Sequence, residues 1–460
     1  GKSGNGHVSS CGGEFDRTRQ SADSPERADE RQSLSGVVQP AISLFDQGIV
    51  SLTPFLASVL VGRMNSQEEF GFYVLGVTIV ALLVELQTAL ISSPYMVYSP
   101  RLRGLKRAQY AGSTLILQLA LGGAAAVVLA LAAVALAVFG RPGEGLTPVL
   151  GALAVVIVFI LLRDFIRRVA MARLEMEGAL VIDMAVAALQ LAGLAAMAAL
   201  GALNAPVAHI MIGSACAVAS LVWMHRNRHR FEPSMSRARR DFLLNWSMGK
   251  WLFASGLLWA LGIHAYPWIL AALHGAEAAG IWGACLGALS LVVVIQGGVT
   301  NWLGPKIAIT YAREGPAPLR RFVFRAAAGF AAVLAVLCSV LMLFADRVLA
   351  ALYGEIYASS GIVLAIMAVS VIARGAAFCF SRGLFAIERA DVDFWINIIP
   401  LAILGTFGVW AISVHGAEGA AVALLASHTI ASVARGIALA VLLHSLVAAD
   451  RGVPVNRMQP

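Results

Sequence analysis

The chain has 460 residues, is 59% hydrophobic and only 13% charged, and carries a formal net charge of +8. Soluble domains are about 25% charged, so this composition belongs to a membrane protein and excludes a large water-soluble domain. The positive charge sits in short loops between apolar runs, which accounts for it without nucleic acid.

In chain order, residues 1–35 are polar, rich in Ser and Gly and without periodicity, and they predict a disordered cytoplasmic tail over about 1–40. No short apolar region with a small-residue cleavage site precedes the first span, so no cleaved signal peptide is expected. Twelve apolar runs follow, each able to cross about 30 Å of hydrocarbon. Six lie near 44–63, 70–96, 111–139, 148–168, 179–201 and 206–225, and six near 246–272, 279–303, 323–345, 359–381, 392–413 and 418–443. They are continuously apolar and do not alternate, which predicts helices, not barrel strands. The expected fold is an all-α integral membrane protein of about twelve transmembrane helices in two six-helix lobes. The lobes span 41–225 and 246–445, joined by a cytoplasmic loop at 226–245 and followed by a tail at 446–460.

Basic residues set the expected orientation. With the N-terminus inside, the outward ends hold only Arg63, Arg141 and Arg347 of 34 Lys and Arg. The inward loops hold clusters such as "RLRGLKR" at 101–107 and "SRARR" at 236–240. Both termini are therefore expected in the cytoplasm. Cys216, Cys285, Cys338 and Cys379 fall in apolar segments and predict packing, not disulfides.

The halves resemble each other. Placing Gly71 of "EEFGFYVLG" on Gly280 of "AEAAGIWGACLG" puts Tyr73 on Trp282 and Gln87 on Gln296 without a gap. A weaker match sets Asp183 on Asn397. Each half has six spans, so the repeat is parallel, about an axis along the membrane normal, with a site expected between the halves.

Chemistry is concentrated in a few polar residues at membrane depth. Arg374 and Arg435 lie deep in spans ten and twelve, and Arg163 ends a run too short to cross by itself. Snorkelling would explain Arg163 about as well as a cavity would; for the other two the interface is roughly 10 Å away, which favours a basic cavity between the halves. Lys250 near the inner end of span seven and His264 past its middle are further candidates, as is Gln87. The same span holds Trp246, Trp251, Trp259 and Trp268, flat faces suited to sugars or prenyl chains and equally to a membrane belt. Glu85, at mid-membrane in "LLVELQTAL", is a candidate for coupling to H+ or Na+, or the counter-ion of a structural pair. Asp46 and Asp183 are weaker candidates, because an acid at a helix start is often a cap. No P-loop, metal-ligand cluster or nucleophile motif occurs, so no cofactor, metal or enzymatic activity is expected.

The stretch "FDQGIVSLTPFLASVLVGRMNSQEEFGFYVLG" (45–76), the proline-ended "SSPYMVYSPRL", "GKWLFASGLLW" and "TNWLGPKIA" resemble segments of the Wzx-type oligosaccharide flippases. These belong to the multidrug/oligosaccharidyl-lipid/polysaccharide (MOP) exporter superfamily, and the likeness covers about 44–445. The resemblance implies a V-shaped transporter of the bacterial inner membrane that flips an undecaprenyl-diphosphate-linked glycan outward. It implies a diphosphate in a basic central cavity, where Arg374, Arg435, Arg163 and Lys250 could hold it. Little positive charge beyond Arg63 lies in spans one and two, which leaves open whether the first span lines the anion site as in the lipid-II flippases of the superfamily, an alternative reading of the chain. A multidrug antiporter would want a cavity rich in carboxylates, and a membrane glycosyltransferase a large polar outer loop.

Overall fold

A computed structural model describes residues 25–140 and 145–452, with side chains from Phe45 onward. Twelve helices can be numbered by span. The first six are α1 (Pro25–Met64), α2 (Gln67–Gln87), α3 (Gly104–Phe139), α4 (Leu146–Ala172), α5 (Met176–Ala199) and α6 (Ala205–Asn227). The second six are α7 (Met235–His274), α8 (Ala276–Glu314), α9 (Pro316–Leu343), α10 (Gly361–Ala386), α11 (Ala390–Ile396) and α12 (Val409–Gly452). Among the described residues, eleven segments are long and apolar enough to span a membrane, and one of them, Ala390–Ala448, is 59 residues long. It reverses at Gly416, where φ is +54°, and so crosses twice. Eleven segments therefore make the twelve expected crossings.

The tail expected over 1–40 is only partly described: 1–24 lie outside the described residues, and from Pro25 the chain is helical. "PERADERQ" opens with a proline, which suits a first helical turn, and continues in good helix formers. The loop expected at 226–245 is also mostly helix, because α7 begins at Met235.

Local signals set the helix ends. Ser66 Oγ accepts from the Glu69 backbone N–H at 3.2 Å to start α2, and Asn204 Oδ1 accepts from Val207 N–H at 3.0 Å to start α6. Gly275 and Gly315, with φ of +86° and +84°, turn α7 into α8 and α8 into α9 with one residue each. Val127, Val128, Leu131, Val134 and Val138 on α3 are exposed, as a face toward lipid should be.

The lobes meet most closely at the end opposite the basic loops. There α2 crosses α8 with Gly71 directly on Gly280. The contact is reciprocal: a Cβ on either glycine would lie 3.1 Å from the backbone nitrogen of the other. Each would also run into the carbonyl four residues before its partner, Ala276 in one direction and Gln67 in the other. Residues matched by the repeat thus touch each other, as expected on a pseudo-twofold axis. Around the crossing, Arg63 donates to the Ala351 carbonyl at 2.8 Å and Gln67 to the Ile356 carbonyl at 2.6 Å. Phe70, Tyr353 and Tyr357 pack together beside them.

At the basic end, the first turns of α7 lean back onto the first lobe. Tyr110 OH donates to Asn245 Oδ1 at 2.8 Å, and Ser113 bonds Asp241. Among the described residues, α4, α5 and α6 make no substantial contact with α9, α10 or α12. The lobes are thus sealed at the Gly71–Gly280 end, and at the basic end they touch through α7 alone of these helices.

Candidate functional site

Five helices of the second lobe enclose a cavity of about 350 Å³. α12 presents His428, Ala431 and Arg435 to it, and α11 with the turn that follows presents Asp393, Asn397 and Pro400. Spacings of three and four residues keep each set on one helical face. α10 adds Arg374, Ala377, Phe378 and Ser381; α8 adds Gln296; α7 supplies an apolar wall from Leu258, Trp259, Gly262 and Ile263.

Arg435 is buried, and each of its three guanidinium nitrogens has a partner. Its Nε donates to Asp393 Oδ1 at 2.7 Å, and its terminal nitrogens donate to Asn397 Oδ1 at 2.6 Å and the Ala431 carbonyl at 3.4 Å. Asn397 in turn donates to Asp393 Oδ2 at 3.3 Å. Arg374 is different. One terminal nitrogen donates to Gln296 Oε1 at 3.1 Å, while its Nε is buried without a hydrogen-bond partner. Two guanidinium groups face one carboxylate, so the cavity keeps net positive charge and spare donors. Such a site is built to take an anion.

The first lobe uses its charges otherwise. Arg167 on α4 donates to Asp46 Oδ2 of α1 at 2.7 Å and to Asp183 Oδ2 of α5 at 2.6 Å, and Arg163 pairs with the other oxygen of Asp183. Two cations and two carboxylates cancel, and Asp183 is wholly buried. Arg163 therefore does not face Arg374 across a cleft, as the sequence suggested; its counter-ion sits on the next helix. Asp46 and Asp183 are likewise not helix caps or open acids, since both are already held by arginines. Arg167, not singled out by the sequence, is the centre of this network.

The other candidates separate. Gln87 is fully buried in the first lobe, where it donates to Asp164 Oδ2 at 3.3 Å. Its repeat mate Gln296 reaches the equivalent helix of the other lobe. Lys250 is exposed on α7, just after Gly249, which packs against the Ala89 carbonyl of the first lobe. It lies outside the cavity lining, as does half-buried His264, next to the lining residue Ile263. Glu85 is half-buried and faces α7 at Gly256, with Arg168 and Asp164 the charges acting on it. Of the tryptophans, Trp259 lines the cavity and Trp268 donates to Thr78 Oγ1 of α2 at 2.8 Å.

The sequence reading missed Asp393 and His428. Asp393 sits at the start of a span, where an acid passes for a cap. For His428 a signal did exist: it precedes Arg435 by seven residues, two turns along one face. The cysteines expected to pack do so: Cys216, Cys285, Cys338 and Cys379 are free and buried. No metal-binding cluster occurs among the described residues.

Residues 39–303 match the family described as "Polysaccharide biosynthesis protein". A comparison with curated protein sequences gives no match. Among solved structures, the chain is similar to an inward-facing multidrug resistance MATE family transporter of the MOP superfamily, with a TM-score of 0.70 at 13% identity over 86% of this chain and 95% of that one. An outward-facing MATE family transporter gives 0.58 at 14% identity, over 89% and 95%. A MOP superfamily transporter from Pyrococcus furiosus Vc1 (DSM3638) gives 0.60 at 15% identity, over 88% and 95%. That protein is described as having a binding pocket of reverse polarity that suggests a different function. At these identities the likeness is one of fold.

Proposed function

The chain belongs to the polysaccharide biosynthesis protein family and has the fold of MOP-superfamily membrane transporters, and from that premise we propose that it flips an undecaprenyl-diphosphate-linked oligosaccharide across the bacterial inner membrane. The observation that carries this reading is the second-lobe cavity, with its net positive charge and the unsatisfied Nε of Arg374. A guanidinium plane offers paired donors that match diphosphate oxygens, and partial dehydration strengthens the pairing. Arg435, held by Asp393 and Asn397, sets the field and shape of the floor, while Arg374 is the group with donors to give. Trp259 and Phe378 offer apolar faces to the first sugar or prenyl unit.

On this reading the basic loops face the cytoplasm, as do both termini, which the positive-inside rule supports. Closure at Gly71 and Gly280 then makes this an inward-facing arrangement, ready to collect a headgroup made inside. Water in the open cavity limits the cost of keeping arginines at membrane depth. Of the three acids considered for ion coupling, Glu85 alone is not held by an arginine at close range. A transporter of cationic drugs would need the opposite charge balance in its cavity.

The test is export of lipid-linked glycan by cells with equal amounts of each variant. Arg374→Lys keeps the charge but loses the fork and retains part of the activity; Arg374→Ala retains little. Full export by Arg374→Ala would overturn the assignment.

A further inference from the structure

One cavity residue has no part in the role given to the arginines. His428 stands on the same face of α12 as Arg435, with Ala431 between them. The Arg435 guanidinium folds back along that face to the Ala431 carbonyl, which brings its charge within about one helical turn of the imidazole. Arg374 approaches from α10, and Asp393 faces the same space from α11; Gln296 of α8 and Asn397 are neutral, and α7 contributes no charged group to the lining. The imidazole rests against the Ser370 backbone carbonyl of α10, while its Nδ1 is buried with no hydrogen-bond partner. In the neutral ring one nitrogen bears the hydrogen and the other a lone pair, and Nδ1 has nothing to bond in either form.

A bare lone pair is useless to a phosphate oxygen, which only accepts. Protonated, the same ring can donate from both nitrogens, and a turn of the side chain would bring Nδ1–H to the cavity that His428 lines. In the empty cavity the two arginines outnumber Asp393, and a third positive charge there is disfavoured. A diphosphate esterified at both ends brings two negative charges and reverses that sign.

We infer that His428 is a third binding group for the anionic head, and that it engages together with one proton, so that substrate and proton share the cavity. The inference rests on the cavity being the anion site proposed above. It assigns the proton that travels with the headgroup to the second lobe, separate from Glu85 in the first.

The test uses purified full-length protein and a geranyl diphosphate N-acetylglucosamine ester, whose two charges stay constant between about pH 6 and pH 8, the range in which histidine changes charge. Binding is followed by calorimetry in buffers of different ionisation heat, which counts protons taken up. Wild type should bind roughly tenfold tighter at the lower pH, with up to one proton taken up. His428→Gln should be flat across that range with no uptake. His428→Arg should also be flat, with its charge already in place. Arg374→Ala should bind weakly at every pH. A flat wild-type profile, or proton uptake that survives in His428→Gln, would overturn the inference while weak binding by Arg374→Ala leaves the anion site standing. Wild-type affinity in Arg374→Ala would instead remove the anion site, and the inference with it.

Discussion

A methyl group added at Gly71 tests how the two lobes are locked. In Gly71→Ala the new Cβ would stand 2.6 Å from the Ala276 carbonyl carbon, where ordinary contact needs at least 3.4 Å, and it would overlap the attached oxygen outright. Both obstacles are backbone, so no side chain can swing aside. The helices must part by about 1 Å, and forced overpacking of this kind costs about 1–3 kcal/mol. A state with the lobes separated at this end has no such contact and bears none of the cost. About 2 kcal/mol of differential destabilisation moves the equilibrium roughly 30-fold toward that state. Spin labels at Glu68 and Glu277, exposed positions on α2 and α8 beside the crossing, would report it by pulsed electron paramagnetic resonance. The expected result is a shift of the distance distribution to longer values with the fold intact, and a matching shift for Gly280→Ala because the contact is reciprocal. An unchanged distribution in both variants would refute the argument that these glycines set the closed end.

Asn397→Asp gives the second lobe the carboxylate that Asp183 supplies in the first; a further negative charge beside Arg435 should weaken diphosphate binding at least roughly tenfold, measured as Kd. Asp183→Ala leaves Arg163 without its counter-ion and buried Arg167 with Asp46 alone, and should cost about 3–5 kcal/mol, read as a lower Tm in detergent. Asp391→Ala breaks an exposed pair with Arg389, at 2.9 Å and 3.0 Å, and should leave Tm essentially unchanged, so the two variants bracket the thermal assay. Glu85→Gln should lower export while leaving diphosphate binding to the second-lobe cavity unchanged; loss of that binding would show that Glu85 acts on the cavity itself.

Much of the molecule follows from the order of residues alone. Twelve crossings can be read off because hydrocarbon demands runs of a set length with every backbone group bonded internally. The repeat was visible as well, down to the residue: Gly71 and Gly280, matched by register, are the pair that meets. Depth along a helix is also linear information, so Arg374 and Arg435 could be placed within the membrane without coordinates. Two readings failed locally, the loop at 226–245 and the tail beyond Pro25, because polar helices that leave the bilayer lose the apolar signal that marks a span.

Partner choice was the part that only packing could decide. Arg163 and Arg374 look alike in sequence, each an arginine inside an apolar run. Their fates differ because α5 turns Asp183 toward Arg163 and Arg167, whereas the matched position of the second lobe is Asn397, an amide with no charge to cancel. Hydropathy carries no record of how a helix is rotated about its axis, and ion pairs form between helices 16 to 121 residues apart in the chain, as Arg167 with Asp183 and with Asp46 do. Rotation of the helices, together with Asn397 where the first lobe has Asp183, leaves one lobe electrically closed and the other with a cavity able to hold an anion.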